Sequence, residues 1–585
     1  EEHVWNLPIE GDTTRSLVDV VLNVLPKLIV NANGNSETVV KTIGEMIYLF
    51  EKLEMNDDGS SKYNISPVPQ NARDARWDVM LEREQERWNN QRPATKTLLE
   101  YLPADHIYLF AADWRKGQLD GAERLHQFIQ EVKEDAGHDK VSLFGVSYGG
   151  QLATAYFTFY GGEDIDRAVL QAPAIRGSAL TADLLEDPNF AFDPETFFDL
   201  AAVFIDRELS LDQRLKGLDL PLINSIVMQV IRTYLQPIFL KFGSFWDIVP
   251  PEDYARLKAK YLDPEKNAEI IRKSDIVHNE MMANAGKTLR AMQKQGVKIA
   301  IICGVGLPMA SGNPSSSDYI IEVASTAGAR ALPLGSKGVA VAPADSLVCA
   351  DPAHRHRSPD GSIDAACAYL PENTWFFQRQ YHGQAHWDIY ARALYQKWLC
   401  TDELRDVHSD PNFPQFRNSS NHSDGLELRF SGSVSGYLTE GDETLLVTNL
   451  SAYDISLVDL LAEGLRLEVP VQSRLALSPG ETLRLRYEAI LPAKETIFQL
   501  TVKFVREAPV PAKETRTYTF TALPAHTKVP VALRFPAPAP TAAPLHLRPV
   551  RTLLIFLALS VSLALASVAV GVMYRGKLRK EKARS

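Results

Sequence analysis

Between residues 105 and 180 the spacing of apolar positions alternates between two periods. DHIYLFAADWR (105–115), KVSLFGV (140–146) and DRAVLQAPA (166–174) are short apolar runs of the kind that form buried strands. LDGAERLHQFIQEVKED (119–135) and SYGGQLATAYFTFY (147–160) carry apolar residues at helical spacing. Strands alternating with helices predict a parallel sheet covered on both faces. From about 180 to 285 the alternation gives way to helical apolar segments, including PLINSIVMQVIRTYLQPIFLKFGSFWDIVP, and these are expected to form a cap over the carboxyl ends of the strands. An amphipathic helix pair packed on the domain and a lipid-contacting lid both fit this stretch. Asn, Gln, Arg and Thr spaced through 221–241 argue against a membrane span there. The strand pattern resumes at VKIAIICGVGLP (297–308), GVAVAP (338–343) and NTWFFQRQYHG (373–383). Residues 1–100 read as mostly helical, as in TVVKTIGEMIYLFEKLE (38–54).

The texture changes after the polar stretch NSSNHSD. LELRF, TLLVTN, LRLEV, TLRLRYEAI, TIFQLTVKFV, RTYTFTAL and VPVALRF alternate apolar and polar residues between turns, the pattern of a β-sandwich. PAPAPTAAP follows as a semi-rigid stalk. LLIFLALSVSLALASVAVGVMY (553–574) has no charged residue and is long enough to cross a bilayer as a helix. The basic tail RGKLRKEKARS places the end of the chain in the cytosol and everything before the span outside or in a lumen. The expected organisation is an α/β-hydrolase domain at 1–410, a linker at 411–424, a β-sandwich at 425–536, a stalk at 537–551, a single transmembrane helix at 552–574 and a cytosolic tail at 575–585. A type I orientation makes the sequons at Asn64, Asn418, Asn421 and Asn449 candidate glycosylation sites, with Asn64 the weakest because Pro67 follows it.

Charge and cysteine usage narrow the classes. A net charge of −11 argues against a nucleic-acid partner, which would require a basic stripe. Cys303, Cys349, Cys367 and Cys400 include no C-x-x-C pair, so no metal site is expected. Two disulfides in an oxidising compartment, or buried free thiols, are the alternatives for them. Nothing in the sequence calls for a cofactor.

The candidate chemistry centres on Gly145-Val146-Ser147-Tyr148-Gly149, a G-x-S-x-G between an apolar strand and a helix. That context is what a nucleophile elbow requires, with glycines flanking a strained serine. The Tyr148 backbone N–H is placed to donate to an oxyanion. The base and its carboxylate should follow in chain order. His382 and His386 lie just past an apolar strand, and Asp345 directly follows GVAVAP, with Asp351, Asp360 and Asp364 as weaker candidates.

Several short segments, in order along 105–395, resemble the lecithin:cholesterol acyltransferase family and its lysosomal phospholipase A relatives. YLFAADWR resembles that family's Y-D-W-R, ICGVGLP its G-V-G-L-P strand, PADSLV its G-D-G-T-V, YHGQAHWDIY its H-G-x-x-H, and GSFWDIVP the W-x-x-P of its cap. The resemblance implies a catalytic set of Ser147, Asp345 and His386, with His382 the runner-up base, and contacts to substrate or cap from Trp114 and Trp246. It also implies an acyl-lipid substrate such as a phospholipid. Two departures stand out. Ser346 and Leu347 replace the Gly and Thr of the acid motif, and no V-P-G-like segment precedes EEHVWNLP. The strand and turn that supply a second oxyanion N–H are therefore expected upstream of Glu1, the alternative being that half the oxyanion hole is lost. The resulting expectation is a membrane-anchored serine hydrolase or O-acyltransferase. An α/β-hydrolase peptidase and an inactive, hydrolase-like adhesion or receptor ectodomain are the alternatives.

Overall fold

A computed structural model of the chain describes most residues between 53 and 525. The larger stretches outside the description are most of 81–97 and 187–227, with shorter ones between 350 and 387 and in the loops of 411–511. A five-stranded parallel sheet organises the first part: β1 (Val141–Val146), β2 (Ile165–Gln171), β3 (Lys298–Val305), β4 (Thr374–Gln378) and β5 (Phe416–Asn418), hydrogen-bonded in that order. Around it lie the helices α1 (Gln118–Ala136), α2 (Tyr148–Tyr160), α3 (Ala179–Glu186), α4 (Pro251–Tyr261), α5 (Ala268–Ile276), α6 (Ala285–Lys294) and α7 (Ile389–Cys400).

Strand alternation fixes which face each side chain takes. Ala168 and Leu170 of β2 and Ile299 and Ile301 of β3 pack with Leu125 and Ile129 of α1, Leu152 and Tyr156 of α2, and Leu289 of α6. Their neighbours Val169, Ala300 and Ile302 point the other way, onto Leu394, Tyr395 and Trp398 of α7. Helices on both faces make β3 almost wholly apolar, as a doubly covered parallel strand must be. The sheet and its helices have the arrangement of an α/β-hydrolase-like fold.

Three local readings change. Residues 107–111 of DHIYLFAADWR do not join the sheet; Tyr108 makes only an isolated bridge to Arg76. GVAVAP (338–343) is not a strand, and Val339 and Val341 are exposed. Phe416–Asn418, read as part of a linker, forms β5 and pairs with Phe376, Phe377 and Gln378 of β4. All four cysteines are free thiols.

Further along, a three-stranded sheet (Leu426–Phe430, Thr444–Asn449, Thr482–Arg486) faces a five-stranded one containing Ile455–Glu463, Leu475–Leu477, Thr496–Arg506 and Ala512–Ala522. Leu428, Phe430, Leu445 and Val447 from the first meet Leu457, Phe498, Leu500, Val502 and Phe520 from the second in one core. This is the sandwich pattern that alternating residues predict. VPVALRF, the stalk, the apolar stretch at 553–574 and the basic tail lie outside the described residues. Among the described residues no helix is long and apolar enough to cross a membrane.

Candidate active site

β1 ends at Val146 and α2 begins at Tyr148, which leaves Ser147 alone to turn the chain. Its backbone sits at φ 56° and ψ −118°, a region costing a non-glycine residue about 1–3 kcal/mol. The surroundings hold it there. Its N–H donates to the Gln171 carbonyl at the end of β2 (2.9 Å), and its carbonyl accepts from Gly150, Gln151 and Ala174. The tightness of the turn explains two of the nearby glycines. A Cβ on Gly145 would fall 2.5 Å from the Gly149 carbonyl oxygen, and one on Gly150 would fall 2.6 Å from Pro173 Cβ. A Cβ on Gly149, the last position of the motif, would meet nothing within 4 Å among the described residues. The packing constraint therefore falls on Gly145 and Gly150.

Ser147 Oγ lies 2.8 Å from His382 Nε2, and His382 Nδ1 lies 2.8 Å from Asp318 Oδ2. All three side chains are buried. Asp318 comes from the loop after β3 and His382 from the loop after β4, both at the carboxyl ends of the strands. The contacts set each group's role. The Ile320 and Ile321 N–H groups donate to Asp318 Oδ1, and the His382 N–H donates to the Asp318 carbonyl (2.8 Å), so the acid and the histidine are locked together through backbone and side chain. A carboxylate only accepts, so His382 Nδ1 carries the proton and Nε2 accepts from the serine hydroxyl.

The structure thus brings Ser147 to His382, the runner-up of the sequence reading, and supplies an acid that reading did not consider. Asp345 is exposed in the loop beyond GVAVAP and makes no contact with the histidine. With no strand at 338–343, nothing carries Asp345 to the edge of the sheet. His386 lies outside the described residues. A usable signal for Asp318 was present: it is the first aspartate after ICGVGLP, the strand that pairs with the histidine strand in the parallel sheet.

Beneath the elbow lies a buried polar network. Gln118 Nε2 donates to the Tyr148 carbonyl (3.2 Å) and to Gln151 Oε1 (2.7 Å), and Gln151 Nε2 donates to the Asp247 carbonyl (2.7 Å). Asp247 Oδ2 accepts from the Gln118 N–H and Oδ1 from the Ser274 hydroxyl. Burial pushes the Asp247 carboxyl up to about 7. The network ties the first turn of α2 to α1 and to the helical segments around 247 and 274. The Tyr148 N–H belongs to that first turn, whose donors point past the end of the helix.

The other expected contacts fall as follows. Trp114 is half-buried, its ring 5.4 Å from that of Phe242 in an edge-on arrangement. Trp246 is fully buried among Leu185, Val249, Tyr254, Leu257 and Ile270, with its indole N–H donating to the Leu240 carbonyl. It is a core residue of the helical segments between 182 and 270 and cannot touch a substrate without unpacking. Asn449 is also fully buried, its Nδ2 donating to the Leu477 carbonyl (2.8 Å), which closes that sequon to a glycan. The backbone of Asn418 is paired in β5, and Asn64 and Asn421 lie outside the described residues.

No protein-family model matches the chain. No curated protein matches it either. Among solved structures the chain is similar to phospholipase PlaB from Legionella pneumophila, at 10% identity and a TM-score of 0.26, over 76% of this chain and 88% of that one. It is similar to the Tle4–Tli4 complex at 11% identity and a TM-score of 0.21, over 50% of this chain and 68% of that one. It is also similar to Bacillus licheniformis lipase BlEst2 in its propeptide form, at 9% identity and a TM-score of 0.17, over 69% and 84% of the two chains. Likenesses this slight carry no argument about activity.

Proposed function

We propose that this protein is a serine-dependent hydrolase of acyl-lipid esters, with Ser147 as nucleophile, His382 as general base and acid, and Asp318 as the group that orients the base. The observation that carries the reading is His382 spanning Ser147 and Asp318 at 2.8 Å on each side. Ser147 Oγ attacks the ester carbonyl carbon while His382 Nε2 takes its proton. The tetrahedral oxyanion forms near the amino end of α2, where the Tyr148 N–H is the expected donor. The imidazolium then protonates the leaving alcohol, and the C–O bond breaks to leave an acyl-Ser147 ester. Water, or an acceptor alcohol in an acyltransferase, next attacks that ester. It passes its proton to His382, which returns it to Ser147 Oγ as the new acid or ester leaves.

Lipid is favoured over peptide by two features of the sequence: the ordered segments that resemble acyl-lipid enzymes, and the uncharged stretch at 553–574, which would hold the domain at a bilayer. The strained Ser147 backbone and the buried Asp318–His382 pair weigh against an inactive ectodomain, since both are costly arrangements with no evident packing role. The test offers phospholipid vesicles and a peptide library to the full-length chain and to Ser147→Ala. Release of fatty acid, or its transfer to an alcohol, by the parent alone is expected. Peptide cleavage without ester turnover would overturn the lipid assignment.

A further inference from the structure

Near the amino end of β4, four side chains converge that the proposed chemistry does not use. Cys349, His354, His356 and His408 each point one ligand atom into a common space, all four atoms lying within 4.8 Å of one another. We infer that they bind one Zn²⁺ ion in a closed, tetrahedral, structural site.

Geometry is the first support. Cys349 Sγ lies 3.6 Å from His354 Nδ1 and 3.7 Å from His408 Nε2. In a tetrahedral site with Zn–S of about 2.3 Å and Zn–N of about 2.0–2.1 Å, the S···N edge is about 3.6 Å.

The second support is independent. Gln415 Nε2 donates to the Pro371 and Thr374 carbonyls, which fixes its Oε1 toward His356 Nδ1 at 2.9 Å. An amide oxygen only accepts, so Nδ1 carries the proton and Nε2 presents its lone pair. That Nε2 is buried and has no hydrogen-bond partner among the described residues, on a residue only 5% exposed. An imidazole oriented through its other nitrogen is the usual outer-shell arrangement of a metal-bound histidine. Glu372 Oε1 stands 3.8 Å from His408 Nε2 at the rim and adds negative charge beside the cation.

Location argues for a structural role. The Val407 N–H donates to the Glu372 carbonyl, and Gln415 holds Thr374, so the cluster sits at the amino end of β4. His382 lies past the other, carboxyl end of that five-residue strand, which spans about 13 Å at about 3.3 Å per residue. Four protein ligands leave no open position for a substrate. The ion would tie the long excursion between β3 and β4, which also carries Asp318, to the segments around 408 and 415. One thiolate and three imidazoles suit zinc better than magnesium or calcium. On binding, the Cys349 thiol gives its proton to solvent and the imidazoles bind as neutral ligands. Sequence reading missed the site because it looked for paired cysteines, whereas the signal was His354-x-His356 downstream of a single cysteine.

The test uses the full-length chain, purified from zinc-supplemented medium and assayed by elemental analysis, with cobalt(II) exchanged for the bound metal. About one zinc per chain is expected. Cobalt should give the absorption of a tetrahedral centre together with a thiolate charge-transfer band. Cys349→Ser should lose that band, and Gln415→Leu should weaken zinc binding by about 10–100-fold. Chelating the parent protein should lower its melting temperature, and zinc but not magnesium should restore it, a readout that holds even where a variant fails to fold. A parent chain that retains and takes up no zinc, or a cobalt spectrum without the thiolate band, would overturn the inference.

Discussion

Asp318 Oδ2 lies 2.8 Å from His382 Nδ1, and the Asp318 carbonyl accepts the His382 backbone N–H at the same distance. Asp318 is therefore bonded twice to His382, across the loops that follow two neighbouring strands. Removing the charge while keeping the shape should upset the tautomer and leave the fold intact. Asp318→Asn is expected to lower kcat on a chromogenic ester by about 10²–10⁴-fold with KM little changed. Asp345→Asn, on an exposed loop, should leave both constants where they are. Steady-state kinetics of the two variants side by side check the assignment of the acid.

The elbow makes a prediction about glycine. Gly150→Ala places a methyl group 2.6 Å from Pro173 Cβ and should cost about 1–3 kcal/mol in denaturant unfolding, with loss of activity. Gly149→Ala meets nothing within 4 Å and lies inside α2, where alanine is the better helix former. It should gain about 0.5–1 kcal/mol. Equal effects of the two substitutions would contradict the observed turn.

Asp247 gives a pH dependence whose sign can be fixed. Its folded carboxyl is raised to about 7 from an ordinary value of 3.8, so between those values the native state holds a proton that the unfolded chain has lost. Stability from this group is complete below about pH 4 and is lost as pH rises to about 7, by up to roughly 1.4 kcal/mol per unit. His278, lowered to about 4 by burial, acts in the opposite direction over part of that range, so the difference between variants is the cleaner readout. The stability of Asp247→Asn relative to the parent should rise from pH 4 to 7 and then level off, as measured by urea unfolding across that range.

Asn449 should carry no glycan when the chain is made in a secreting host, because its side chain is buried and bonded to the Leu477 carbonyl. Asn449→Ala should destabilise the sandwich by about 1–3 kcal/mol, since that carbonyl loses its donor. Glycopeptide mass spectrometry and thermal unfolding read the two outcomes.

Much of this architecture was legible because its signals are local and periodic. The strands KVSLFGV, DRAVLQAPA and VKIAIICGVGLP and the helices at 118–136 and 148–160 carry patterns that tertiary packing reinforces. Ser147 was legible for the same reason, since an elbow is set by a few adjacent residues. The acid was not. Asp318 reaches its position through a long irregular loop and is held by backbone groups of Ile320 and Ile321, which leave no periodic trace. GVAVAP misled because a short apolar run has the same appearance whether it pairs or, as here, lies exposed with Val339 and Val341 toward solvent. Trp246 and Asn449 misled because a motif does not reveal burial.

The most direct test of the central claim is labelling of the full-length chain with a fluorophosphonate probe, the modified residue being mapped by mass spectrometry in the parent, His382→Ala, Asp318→Asn and Asp345→Asn. Modification at Ser147 that is lost in His382→Ala, slowed in Asp318→Asn and unchanged in Asp345→Asn is the predicted result. Absence of labelling at Ser147 in the parent, or labelling indifferent to His382, would contradict it.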